Sequence, residues 1–206
     1  MADTPLLILL VRHGQSESNA TGRFAYRTWD PPLTDLGWAQ ARELMTQLTG
    51  VPIARVVSSP LRRARETVEP LAHERSLVTT VIPELSELDM GSWDGEILTE
   101  VAARDPDAWK AWRRDPDANP PPRGEKLSAV GSRVLAGLDT LRTGRGLVVA
   151  ATHADCVKGA LVHLLGSSAA SARRLHVPNG GQLLLRAMDD GTWRVVLGPV
   201  SPTFGL

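Results

Sequence analysis

Leu6-Leu7-Ile8-Leu9-Leu10-Val11-Arg12-His13-Gly14 is a run of six apolar residues broken abruptly by two basic residues and a glycine. An unalternating apolar run of this length is the pattern of a strand buried on both faces and ending at a turn. Residues 51–58 and 146–152 repeat the design, each passing into polar residues and then into a helix-like stretch. Strands that alternate with helices form mostly parallel sheets covered on both sides. The stretch therefore predicts an α/β chain, a three-layer α/β/α sandwich around a mostly parallel central sheet.

The helices announce themselves by caps and spacing. Thr34 is a plausible N-cap, after which Ala41, Leu44, Met45 and Leu48 fall at i, i+3, i+4 and i+7. Ser59-Pro60 reads as an N-cap with proline at the first helical position of a helix running to about residue 73. Leu127, Val130, Val134, Leu138 and Leu141 make a third stripe, and Val157, Ala160, Leu161 and Leu164 a fourth. Residues 182–187 and 193–197, separated by Asp189-Asp190-Gly191, read as a closing hairpin or two edge strands. Residues 84–123 differ, with Trp93, Trp109 and Trp112, two Asp-Pro breaks and Pro120-Pro121-Pro122. They read as an irregular, lid-like insertion in a single domain over residues 1–206.

Composition narrows the functional classes. The 206 residues are 42% hydrophobic and 22% charged, which suits a globular core and excludes a disordered tail or a collagen. Basic and acidic residues number 23 each, so no global field attracts nucleic acid or an anionic membrane. Cys156 is the only cysteine, which excludes an intrachain disulfide and argues against a cysteine zinc site. The apolar run from Pro5 to Val11 is too short to cross a bilayer and lacks the flanks of a signal peptide. A cytoplasmic protein is expected.

The chemistry collects at the strand ends. In open α/β sheets ligands bind beyond the carboxyl ends of the strands. Three such ends carry Arg12-His13-Gly14, Ser58-Ser59 with Arg62-Arg63 close behind, and Thr152-His153. Two histidines and up to three arginines would then meet at one edge, and arginine is rarely buried without an anion. Phosphate is the natural guest of the planar guanidinium fork. His73, His163 and His176 read as ordinary surface or partly buried residues, Cys156 as a small core side chain, and Trp109 and Trp112 as packing residues.

The residues also carry a resemblance. The segment from Leu10 through Val11-Arg12-His13-Gly14-Gln15-Ser16-Glu17-Ser18-Asn19 resembles the signature of the histidine phosphatase superfamily, also called phosphoglycerate mutase-like. Pro32-Leu33-Thr34-Asp35-Leu36-Gly37 continues the match. Ser58-Ser59-Pro60-Leu61-Arg62-Arg63-Ala64-Arg65-Glu66-Thr67 is similar to the family's S-x-L-x-R-A-x-x-T segment. The acid-bearing loop Glu84 to Gly95, the dipeptide Gly124-Glu125 and Thr152-His153 follow in order, so the likeness covers residues 7–165. It implies that His13 is the nucleophile, forming a phosphohistidine. Arg12, Arg63 and His153 would grip the phosphoryl oxygens, with Asn19 and the backbone N–H of Ala154 adding hydrogen bonds. Arg63 is preferred to Arg62 because the family's arginine precedes alanine. Glu87 would be the proton donor and later the base, with Glu84 as its rival. Arg23, Arg62, Arg113 and Arg114 are further candidates for substrate contact.

The resemblance implies a small phosphorylated substrate, no cofactor and no metal, with a homodimer allowed for. Phosphatases and mutases share this pocket. Trp112-Arg113-Arg114 and the proline run are similar to mutase segments, but Leu88 and Met90 stand where mutases carry arginine and tyrosine. The reading is a phosphomonoester hydrolase. A cofactor-dependent mutase and a non-catalytic phosphate-binding regulator are the alternatives.

Overall fold

The computed structural model describes residues 5–198. β1 (Leu6–Arg12) sends Leu6, Ile8 and Leu10 into one hydrophobic cluster and Leu7, Leu9 and Val11 into another. This is the two-residue period of a strand, and both of its faces are covered. The other strands are β2 (Ile53–Ser58), β3 (Thr79–Val81), β4 (Gly146–Thr152), β5 (Gln182–Ala187) and β6 (Trp193–Val196). They form one sheet in the order β3-β2-β4-β1-β5-β6, parallel from β3 to β1, with β5 antiparallel to β1 and β6 to β5. The predicted closing strands are thus a hairpin at the sheet edge. On one face α2 (Asp35–Gln47) and α3 (Arg62–Glu74) bury Leu44, Leu48, Val68 and Leu71. On the other, α6 (Leu127–Asp139) and α7 (Ala154–Leu164) bury Val130, Val134, Leu138, Val157 and Ala160. The three-layer sandwich follows from this division.

Two expectations need correction. The helix after Ser59 starts at Arg62, with Leu61 as its N-cap. The Ser59 hydroxyl is engaged elsewhere, accepting from Leu61 N at 3.2 Å and lying 2.8 Å from His153 Nε2. The stretch over residues 84–123 is not irregular throughout, since it contains α4 (Leu98–Arg104) and α5 (Pro106–Arg114). Asp105 ends the first and precedes the second, and Pro106 occupies the first helical position where its missing N–H costs nothing. Trp93 and Trp112 are buried and cluster with Trp109 and Phe24, ring centroids 5.2–6.4 Å apart. The tryptophans therefore pack, as expected.

Parallel pairing brings the three strand ends together. Arg12 lies opposite Thr152 and Ser58 opposite Ala151. The strand turns are tied in turn: His13 N donates to the Thr152 carbonyl and Ser59 N to that of Ala151, each at 2.9 Å. After His13 the chain passes so close to α2 that a Cβ on Gly14 would sit 2.6 Å from the Gly37 carbonyl oxygen. Only glycine fits there.

Candidate active site

His13 is buried, and its ring orientation is fixed by a 2.6 Å hydrogen bond from Nδ1–H to the Gly14 carbonyl. That bond places the proton on Nδ1 and leaves the Nε2 lone pair facing outward. Burial, followed by the charge of Arg63, holds its pKa well below the ordinary histidine value, so the ring is neutral at pH 7. The Gly14 backbone is secured by Thr67, whose Oγ1 accepts from Gly14 N at 2.9 Å and donates to the Arg63 carbonyl at 2.7 Å. The threonine that closes the R-A-x-x-T segment thus fixes the loop beside the histidine.

Arginines flank this lone pair. Arg63 Nε approaches His13 Nε2 at 3.2 Å, and its Nη2 donates to the Ala25 carbonyl at 2.9 Å. Arg12 Nη1 donates to the Val177 carbonyl at 2.7 Å. His153 is fully buried with its ring centroid 5.1 Å from that of His13. Ser59 Oγ, which accepts from Leu61 N, lies 2.8 Å from His153 Nε2, and in the tautomer where Ser59 donates to Nε2 the imidazole proton sits on Nδ1. Arg12 Nε, Arg63 Nη1 and His153 Nδ1 are all buried without a hydrogen-bond partner. Such orphaned donors are costly unless a ligand satisfies them. Arg12, Arg63 and His153 around His13 Nε2 suit a tetrahedral oxyanion.

Glu87 stands across from this group, its Oε2 3.8 Å from His153 Nδ1 and its Oε1 accepting from Leu88 N at 2.8 Å. Burial, then the charge of Asp155, raise its pKa from 4.5 to about 7. The carboxyl can therefore hold and release a proton near neutrality. Arg133 on α6 fixes the loop that carries it, its guanidinium donating to the carbonyls of Glu84, Ser86 and Glu87 at 2.6, 2.7 and 2.9 Å. The remaining N–H groups meet Glu125 in a two-point ion pair at 2.8 and 2.9 Å. Here lies the structural use of the Gly124-Glu125 dipeptide.

The sequence profile of the histidine phosphatase superfamily, branch 1, matches residues 8–198. The chain belongs to that superfamily. The chain is 34% identical over 199 residues to a bifunctional protein of Mycobacterium tuberculosis, a match covering 94% of the chain and 54% of the relative. It thus spans about half the length of that mycobacterial relative. It is 31% identical over 174 residues to the adenosylcobalamin/alpha-ribazole phosphatase of Salmonella typhimurium, covering 83% and 85% of the two chains. Its fold is similar to that of the mycobacterial glucosyl-3-phosphoglycerate phosphatase solved with VO3, with a TM-score of 0.83 at 27% identity over 95% and 99% of the two chains.

The residues anticipated from the sequence fall into two groups. His13, Arg12, Arg63, Glu87, Asn19, Ala154, Arg23 and Arg113 all line one cavity of about 460 Å³, while His153 is fully buried beside His13 and is not part of the lining. Asn19 Oδ1 accepts from Ser16 N, Ser16 Oγ and Asn179 Nδ2 at 3.0–3.1 Å, which keeps its amide nitrogen available to a ligand. Arg23 spends one Nη1 bond on the Gly95 carbonyl. Arg62 does not line the cavity, and its exposed side chain pairs with Glu66 at 2.6 Å. Glu84 is likewise outside the cavity lining, in the turn Pro83–Leu85. Arg114 is exposed and does not line the cavity.

Several lining residues had no motif to mark them. Asp155, Lys158, Arg173 and Asn179 line the cavity, and so does His176, read from sequence as ordinary surface. Asn179 also donates to the His13 carbonyl at 3.1 Å. Cys156 is buried as expected; burial pushes its thiol up to about 12, so it is inert.

Proposed function

We propose that this chain is a phosphomonoester hydrolase that works through a phosphohistidine on His13. The observation that carries the reading is the set of buried nitrogens without a hydrogen-bond partner on Arg12, Arg63 and His153 around His13 Nε2. In the first step Nε2 attacks phosphorus, the N–P bond forms and the ester P–O bond breaks. Protonated Glu87 gives its proton to the departing oxygen. In the second step water attacks phosphorus, Glu87 takes a proton from it, and the N–P bond breaks to free phosphate. Fixed donors stabilise the charge spread over the phosphoryl oxygens in both steps. Asn19 and the start of α7 at Ala154 supply further hydrogen bonds.

The reading extends to the surroundings. Residues 84–123 serve as the lid of a single domain, and a cytoplasmic setting fits the lone, buried thiol. Metal independence has an electrostatic argument. One ligand atom each from His13, Glu87 and His153 lie within 4.8 Å of one another. The charges of Arg12 and Arg63 bear on both histidines. A dication is repelled where a phosphate is drawn.

Hydrolysis is favoured over phosphoryl return because Leu88 and Met90, both buried, line the cavity where a mutase carries polar contacts. His13→Ala should abolish turnover with the fold retained, and quenching the wild type with labelled substrate should trap an acid-labile, base-stable phosphoenzyme. Loss of activity in EDTA that Mg²⁺ or Zn²⁺ restores would overturn metal independence. With 3-phosphoglycerate and 2,3-bisphosphoglycerate, free phosphate should form faster than 2-phosphoglycerate; isomerisation more than tenfold faster would instead mean a mutase.

A further inference from the structure

Beyond the phosphate-binding groups, the same cavity carries charge that cleavage of a simple monoester does not use. Arg173 lies in the last part of the turn Ala169–Arg174 and across the face of Trp112, its guanidinium carbon 4.4 Å from the ring centroid. Its Nη2 donates to the Trp112 carbonyl at 3.0 Å, and its Nε is buried with no hydrogen-bond partner. Among the described residues no carboxylate pairs with it; Asp155, whose field reaches it, is engaged by Lys158 Nζ at 3.5 Å. Burial lowers the Arg173 pKa, Asp155 opposes that shift, and the Arg113 charge adds to it. An arginine stacked on an aromatic face and tied by one carbonyl is preorganised, and its uncommitted N–H groups call for an anion. Arg113 and Lys158 line the same cavity as cations, while Phe24 and Leu98 add apolar wall.

We infer that the cavity binds a second anionic group of the phosphomonoester, a carboxylate or a second phosphate, with Arg173 as the residue that selects for it. The inference rests on the hydrolase reading of His13. It separates acidic phosphomonoesters from neutral ones of the same size, which share the phosphate end but leave Arg173 unmet. The physical basis is that a site built around a buried donor discriminates against a ligand that leaves it unpaired.

The test is phosphate release from matched pairs. In the carboxylate arm, 3-phosphoglycerate is compared with glycerol 3-phosphate; in the phosphate arm, fructose 1,6-bisphosphate with fructose 6-phosphate. The acidic member should have the higher kcat/KM by roughly tenfold or more in at least one arm, mainly through KM. Arg173→Gln should reduce that ratio to near one, Arg173→Lys should restore part of it, and the wild-type ratio should shrink with added salt. Equal rates for both members of each pair overturn the inference. So does an Arg173→Gln chain in which both members fall alike, since Arg173 would then serve only to seat Trp112. Calorimetric titration of the same pairs against His13→Ala measures the preference without turnover. A chain that frees no phosphate even from p-nitrophenyl phosphate overturns the hydrolase reading, while the binding ratio still decides the subsite.

Discussion

Glu87 concentrates the physics of the site in one side chain. Burial penalises its charge, and Asp155 adds to the penalty, so its proton is held up to about pH 7. A poor leaving group needs that proton and a nitrophenolate does not. Glu87→Gln should slow an alkyl phosphate by roughly 10²–10⁴ and p-nitrophenyl phosphate far less in single-turnover phosphorylation. Wild-type cleavage of the alkyl ester should decline as pH rises through about 7. Stability follows the same proton. The folded chain keeps it between pH 4.5 and about 7 while the unfolded chain releases it, so stability falls as pH rises through that window. Denaturant titration should find Glu87→Gln more stable than the wild type at pH 8, by on the order of 3 kcal/mol at the upper bound, with the gain gone at pH 4.

At the scale of elements, two clamps hold the loops that bear the chemistry. Arg133 reaches from α6 to three carbonyls of the Glu87 loop with every N–H in use. Lysine has neither the fork nor the number of donors. Arg133→Lys should therefore lower kcat for alkyl phosphates more than for p-nitrophenyl phosphate, the same leaving-group signature as Glu87→Gln but smaller. The second clamp is Asp94, whose carboxylate accepts from the backbone N–H groups of Tyr26, Arg27 and Thr28 at 2.8, 2.9 and 2.9 Å. These residues follow Ala25, whose carbonyl orients Arg63. Asp94→Ala removes three charge-assisted bonds and frees that carbonyl to drift. Calorimetric titration should show inorganic phosphate binding weakened by roughly tenfold, about 1.4 kcal/mol, and unchanged affinity would rule out this positioning role.

For the molecule as a whole, the site draws on the stability of the sheet. Nitrogens of Arg12, Arg63 and His153 are buried without hydrogen-bond partners, so the free protein carries an unmet desolvation cost that an anion relieves. Phosphate or vanadate at about 100 times its Kd should raise the unfolding free energy by about 2.7 kcal/mol. A thermal shift shows it, and Arg63→Met should abolish the shift. Acid acts in the opposite direction. His13 and His153 are held neutral by burial, and the unfolded chain protonates near 6.5. Stability contributed by their neutral forms is thus lost as pH falls below that value.

The apolar runs at β1 and β4, and the basic residues that break them, were enough to determine a covered parallel sheet with chemistry at one edge. Hydrophobic periodicity is local, and parallel order then forces the ends of β1, β2 and β4 together. His13 and His153 were legible for that reason, and Glu87 only through the family resemblance of the loop that carries it. What only the tertiary structure decided is which neighbouring side chains turn inward. Arg62 and Arg63 are adjacent in sequence, yet on a helix they point about 100° apart, so one faces His13 and the other Glu66. Asp155, Arg173, His176 and Asn179 come from a helix start and two loops whose positions depend on how α7 and β5 pack. A loop side chain has no period to betray its direction, and its burial is set by segments far along the chain.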